Sequence, residues 1–215
     1  MATQEERSAS TRSKLVAVGR RLFAKRGYAA TSLDDVTRAA NLTKGAFYHH
    51  FADKQALFQA IFEALEAELV TTVTRAAVGE DAWLRFRAGC RAFLEAALDP
   101  EVQRIVLRDA PAVLGWDRFR EIDSRYNVEL IAAALRAAVD EGHLDAGDPA
   151  TLAQLVLGTL CEGARLVAHA PDPRAALRLV SAEIDALLVS RAAPRARAGA
   201  RAQRRRPAAR ARRSA

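Results

Sequence analysis

Apolar residues recur along this chain at intervals of three and four, and those intervals divide it into helices. Leu15, Val18, Leu22 and Phe23 form a stripe over 11–26 that Gly27 closes. Leu33, Val36, Ala39 and Ala40 form a second, shorter one, which Thr31 can cap with Asp34 three positions on. Asn41 ends it, Leu42 can fill the corner, and Thr43 can cap a third helix that runs to about His50. From Asp53, a stripe of Leu57, Phe58, Ile61, Phe62, Leu65, Leu69 and Val73 continues until Gly79, and a fifth helix is expected at 81–98. Asp99-Pro100, Asp148-Pro149 and Asp172-Pro173 each set a capping aspartate before a proline whose missing N–H does no harm in a first turn. Helices are therefore predicted over 100–109, 149–169 and 173–190, with another at 117–141. No strand-like alternation competes and no internal repeat is present, so the expected fold is all-α with about nine helices.

The stretch TSLDDVTRAANLTKGAFYHHFADK reads as two short helices around a tight turn, which is helix-turn-helix grammar. At about 100° per residue, Phe47, His50 and Phe51 share one face of the second helix, leaving Gly45, Ala46, Tyr48 and His49 outward with Lys44 at the flank. Gly45 costs a helix about 1 kcal/mol against alanine, a loss that makes sense where backbone must approach something closely. Small residues, a phenol, an imidazole and a lysine suit a DNA groove. A short surface helix in an all-helical protein is the other reading of this window.

Charge sharpens the picture. Residues 1–55 carry 10 Lys/Arg and 5 Asp/Glu, residues 56–190 carry 13 and 21, and residues 191–215 carry 10 and none, so the formal +7 is the sum of +5, −8 and +10. A basic head on an acidic middle assigns any polyanion contact to the head. The tail, RAAPRARAGARAQRRRPAARARRSA, cannot bury a core and is expected to be disordered. It either adds sequence-independent DNA affinity or is a solvated extension.

Half the 215 residues are hydrophobic, enough for a real core. Cys90 and Cys161 have neither metal-ligand spacing nor the density of a secreted scaffold, which favours buried thiols and a cytoplasmic protein. The N-terminal MATQEERSASTR lacks the apolar core of a signal peptide, and no apolar run is expected to reach the roughly 18 residues that span a bilayer. Among the histidines, His49 and His50 are adjacent and point apart, while His143 and His169 stand alone. There is no GxSxG, no phosphate-binding glycine loop and no CxxC, so no enzyme activity, metal or cofactor is expected.

LTKGAFYHHFADKQALF, preceded by GYAATSLDDVTRAANL, resembles the DNA-binding domain of the tetracycline-repressor (TetR) family over about residues 11–58. Gly27-Tyr28, Thr31-Ser32, Lys44-Gly45, Tyr48, Phe51 and Lys54 carry the match. Asn41 stands where the family usually has glycine, and asparagine also visits the left-handed conformation.

The resemblance implies a flexible arm at 1–10, a DNA-binding domain at 11–55 with its helix-turn-helix at about 32–51, an effector-binding and dimerisation domain at 56–190, and the basic tail beyond. It implies a homodimer that represses from a palindromic double-stranded operator and is released by a small-molecule effector. Thr43, Lys44, Tyr48 and Lys54 would hold phosphates, Gly45, Ala46 and His49 would reach base edges, and Thr31 and Ser32 would stand on the same surface. An activator, a global DNA binder, or a helical ligand-binding or enzymatic domain with a vestigial helix-turn-helix are the competing readings.

Family members dimerise through their last two long helices. Leu152, Leu155, Leu160 and Gly163 on one, and Leu177, Val180, Ile184 and Leu187 on the other, would supply that interface. Periodicity alone fits equally well with two helices that only close their own core. The family's effector pocket, carried onto this chain, would involve Phe86, Cys90, Phe93, Leu107, Trp116, Tyr126, Asn127, Cys161 and Arg165. An ordinary surface pair of Glu162 with Arg165 is the plainer account of the last.

Overall fold

Thr3 starts the first helix. Its hydroxyl accepts from the Glu6 N–H at 3.2 Å while the Glu6 carboxylate accepts from the Thr3 N–H at 2.7 Å, satisfying two donors that a helix start leaves open. The computed structural model describes residues 3–145 and 147–192 and places α1 at Gln4–Arg26. The arm expected at 1–10 is therefore helix from Gln4 onward. The basic tail lies outside the described residues from position 193.

Next come α2 (Leu33–Ala40), α3 (Lys44–Tyr48), α4 (Lys54–Ala76) and α5 (Ala82–Ala96). The helix expected at 100–109 is a π-helix over Val102–Asp109, and it runs directly into α6 (Ala110–Leu114). Its wider turn brings the Ala110 N–H to the Ile105 carbonyl, five residues back, just before Pro111, which has no N–H to give. Gly115, at φ 80°, ends α6. Then follow α7 (Trp116–Asp140), α8 (Pro149–His169) and α9 (Pro173–Arg191). The caps of α8 and α9 are those the sequence indicates: the Asp148 carboxylate accepts from the Ala150 and Thr151 N–H groups, and Asp172 from that of Ala175. Among the described residues there is no strand, only an isolated bridge between Leu144 and Ala192.

The described residues form two compact units. The first joins the chain up to Leu69 with Ala97–Asp123; the second joins Val70–Ala96 with the described chain from Ser124 on. The division thus differs from a single cut near residue 55. Long-range hydrogen bonds explain why Ala97–Asp123 belongs with the N-terminal helices. Arg20 Nε donates to Glu101 at 2.9 Å, the Tyr28 N–H to Asp109 at 2.8 Å, and Gln55 Nε2 to the Val113 carbonyl at 2.7 Å.

The first unit's core is Leu15, Phe23, Val36, Phe47, Leu57, Phe58, Ile61 and Phe62, all fully buried. Phe23, Tyr28 and Phe58 meet as a triangle of rings at centroid distances of 5.2–5.6 Å, which fixes where the chain leaves α1. In the second unit, Trp83, Phe86 and Leu94 of α5 pack with Ile131 and Leu135 of α7, Leu157 and Leu160 of α8, and Ile184 of α9. Arg87 Nε donates to Asp185 at 2.6 Å and ties α5 to α9. Contrary to expectation, α8 is long and apolar enough to cross a membrane by length and composition, with a mean hydropathy of 1.2. Its inner face packs on α5 and α9, and its outer face carries Glu162 and Arg165.

Asn41 adopts φ 52° and ψ 51°, the only non-glycine at positive φ among the described residues. There its own N–H reaches the Arg38 carbonyl at 3.0 Å and the Leu42 N–H reaches that of Thr37 at 2.9 Å, closing α2. In urea unfolding followed by circular dichroism, Asn41→Gly is expected to match or slightly exceed the wild type. Asn41→Val is expected to cost ~1–2 kcal/mol, because a β-branched side chain is strained in that conformation. Equal midpoints for the two variants would contradict the assignment.

Candidate functional site

Two side chains build the turn around α2 and α3 in ways that differ from the sequence reading. Ser32, rather than Thr31, caps α2: its hydroxyl accepts from the Asp35 N–H at 3.1 Å, and the Asp35 carboxylate accepts from the Ser32 N–H at 3.0 Å. Thr31 is fully buried and donates its hydroxyl to the Gly27 carbonyl at 2.9 Å, so it has no face to offer a ligand. Gly27 itself sits at φ 82°, where a side chain would be strained. Across the turn, the Thr43 hydroxyl accepts from the Ala46 N–H at 3.1 Å and caps α3.

Phe47 and Phe51 are buried and anchor α3 from below. Lys44, Gly45, Tyr48 and His49 are exposed on the other side, with Tyr48 55% exposed, and Ala46 is half-buried at the edge of that surface. A Cβ placed on Gly45 would meet nothing nearer than the Thr43 hydroxyl at 3.8 Å, so the helix is open there. Lys44 Nζ lies 2.8 Å from Asp34, and that hydrogen bond raises its pKa. Both partners are more than half exposed, and such a pair holds loosely. Burial first, then the charges of His49 and Arg12, lowers the pKa of His50, and the Arg12 guanidinium stands 5.2 Å from the Phe51 ring centre.

Lys54 does not face outward as expected. Its ammonium donates to the Tyr28 carbonyl at 3.0 Å and the Thr31 carbonyl at 2.9 Å, and it sits 3.9 Å from the centre of the Tyr28 ring. It is a clamp on the α1–α2 turn. Burial, then the Asp53 charge, raises the pKa of the Tyr28 phenol. Arg20 is bracketed by two carboxylates. Nη1 reaches Glu68 at 2.6 Å and Nη2 reaches Glu101 at 2.7 Å, and these bonds raise its pKa further. Sequence reading missed the bracket because its partners lie 48 and 81 residues away.

The second unit holds a cavity of about 250 Å³. Phe86, Cys90, Phe93 and Asn127 line it, as expected. Leu107, Trp116, Tyr126, Cys161 and Arg165 do not. Leu107 belongs to the π-helix and Trp116 to the exposed start of α7, both in the first unit. Tyr126 lies one position from Asn127 and so about 100° around the helix. Cys161 packs against the core, and Arg165 is an exposed partner of Glu162 at 2.6 Å. The expected set lacks Val73 and Thr74 at the end of α4, Gly89 on α5 and Ala134 on α7. Val73 was visible as the last residue of the α4 stripe; small residues give no such signal.

The residues expected at a dimer interface divide. Leu160, Gly163 and Ile184 face inward and are buried within their own chain, and Leu152, Leu177 and Val180 pack partly against the same core. Gly163 is where α8 and α9 touch: a Cβ there would lie 2.8 Å from Ile184 Cδ1 and 2.9 Å from Val180 Cγ1. Leu155 and Leu187 do face outward, joined by Leu166 and Leu179, and these four are between 49% and 70% exposed.

Residues 15–61 match the family described as bacterial regulatory proteins, tetR family, and residues 83–190 match the tetracyclin repressor-like C-terminal domain. The Transposon Tn10 TetC protein of Escherichia coli is 28% identical over 155 residues, 72% of this chain and 79% of that protein. The HTH-type transcriptional regulator TtgR of Pseudomonas putida is 38% identical over 77 residues, 36% of each chain. Among solved structures, a TetR-family transcriptional regulator from Pectobacterium atrosepticum is similar at a TM-score of 0.79. It is 41% identical, and the match covers 89% of this chain and 98% of that one.

Removal of the Lys54 clamp should weaken the fold of the head. Lys54→Ala is expected to cost about 1–2 kcal/mol in urea unfolding, the value of a charge-assisted pair of hydrogen bonds discounted for partial exposure. Unchanged stability together with a lower DNA affinity would return Lys54 to the phosphate role.

Proposed function

Because the chain belongs to the TetR family of bacterial transcriptional regulators, we propose that it acts as a cytoplasmic homodimeric repressor. Two α3 helices would enter successive major grooves of a palindromic operator, and a small molecule in the second unit's cavity would release them. The observation that carries the reading is the outer face of α3. It is exposed, has no large aliphatic side chain, and is rigidly backed by Phe47 and Phe51.

Thr43, Lys44 and Tyr48 hold phosphates, Lys44 by leaving its loose pair with Asp34 for a more concentrated negative charge. Ser32 stands exposed at the start of α2 within the same surface. Gly45, Ala46 and His49 lie where base edges would come, the first two allowing close approach. α4 begins at the Lys54 clamp, and its last turns supply Val73 and Thr74 to the cavity wall, so one continuous helix belongs to both the reading head and the effector site. Release requires an effector that favours the non-DNA state, by ~1–3 kcal/mol in ordinary allosteric coupling.

Assembly uses the outward leucines. Leu155 and Leu166 on α8 and Leu179 and Leu187 on α9 would meet their copies across a two-fold axis in a four-helix bundle. If these leucines form one contiguous patch, it is the kind of apolar surface that marks an association site.

DNA binding is tested by fluorescence anisotropy with the DNA that flanks the gene. Lys44→Ala is expected to weaken binding to every sequence and to lower the slope of log K against log salt by about 1. Ala46 substitutions are expected to change which operator is preferred; unaltered preference would remove Ala46 from the base-reading surface. Assembly is tested by sedimentation equilibrium. Leu155→Glu with Leu187→Glu is expected to convert a micromolar dimer to a monomer, and a double variant that stays dimeric would place the interface elsewhere.

A further inference from the structure

The cavity in the second unit has mainly apolar walls. Val73, Phe86, Phe93, Leu130, Ile131 and Leu160 supply its large apolar side chains, with several alanines between them. Among the described residues no aspartate or glutamate lines it. Arg85 is its one cationic lining residue among the described residues, and it is paired: Nη2 donates to Glu141 at 3.0 Å. A carboxylate entering here would have to compete with Glu141 for that cation, and an ammonium would find no carboxylate among the described lining residues. Asn127, buried on α7, is the lining side chain that both donates and accepts strong hydrogen bonds through an amide.

Size narrows the class further. An apolar cavity of ~150 Å³ admits benzene, and this one measures about 250 Å³. The space suits one ring with substituents or two fused rings. We propose that the cavity takes a neutral, mainly apolar molecule of that bulk, bound non-covalently, with one hydroxyl or carbonyl group placed at Asn127. The proposal rests on the reading of the second unit as an effector domain. Cys90 supports the non-covalent part: burial first, and the Asp185 charge second, push its thiol up to about 12, so the reactive thiolate is scarce at neutral pH.

The test is isothermal titration calorimetry on the full chain at pH 7 with four probes of the same ring size: 2-naphthol, naphthalene, 2-naphthoate and 2-naphthylmethylammonium. 2-Naphthol is expected to bind at least tenfold more tightly than either charged probe. Gly89→Leu on α5 and Ala134→Phe on α7 each fill the cavity from a different helix, and each is expected to weaken 2-naphthol at least tenfold while circular dichroism shows a folded chain. Having two fillers means that one that fails to fold does not decide the result. Asn127→Leu is expected to weaken 2-naphthol several-fold and leave naphthalene unchanged. A charged probe that binds as tightly as 2-naphthol overturns the proposal, as does affinity that the fillers leave intact or the absence of saturable binding by any neutral probe. DNA binding of the same preparation keeps the two readings apart. If it is intact, the regulator stands and only the ligand class fails; if it is absent, the regulator reading itself fails.

Discussion

The ammonium of Lys54 is the point on which the geometry of the head depends. It holds the carbonyls of Tyr28 and Thr31 from the first turn of α4, and so sets where the chain leaves α1 and where α2 begins. Thr31, drawn inward by the Gly27 carbonyl, leaves Ser32 to cap α2, and Asn41 then turns the chain into α3. Each step fixes the next, and the product is a short helix with two phenylalanines beneath it and small or polar groups above. A lysine that solvent would otherwise claim is thus internal structure, and the surface left for a polyanion is smaller and better defined than a count of basic residues implies.

The same unit includes a segment distant in sequence. The carboxylates of Glu101 and Asp109 and the carbonyl of Val113 all receive hydrogen bonds from α1, the turn after it, or α4. The chain enters that segment from α5, which lines the cavity, and leaves it into α7, which lines the cavity again through Asn127, Leu130 and Ile131. Together with α4, three chain passages therefore join the two units.

Local chemistry was legible in the sequence and distant chemistry was not. Asp148-Pro149 and Asp172-Pro173 marked helix starts correctly because a cap needs only the next three residues. The helix start at Thr3 has the same kind of signal, a threonine three positions before a glutamate, but its strongly charged sequence reads as solvated chain. The π-helix was hidden because apolar spacing does not distinguish one extra residue per turn from an ordinary helix. For the site, the outward face of α3 followed from counting 100° steps. The roles of Lys54 and Arg20 did not, since their partners are set by tertiary packing. The stripes of α8 and α9 identified apolar faces without saying which faced inward; the tight meeting at Gly163 turns Leu160 and Ile184 into the core and leaves Leu155 and Leu187 outside.

Paired reading of DNA by two α3 helices is the central claim, and hydroxyl-radical footprinting of the full chain on the flanking DNA tests it most directly. Two protected patches related by a two-fold axis are expected, with centres separated by about 10–10.5 base pairs or a whole multiple of that spacing, as two helices in successive major grooves require. A single protected patch, or uniform protection without a symmetric centre, would contradict it.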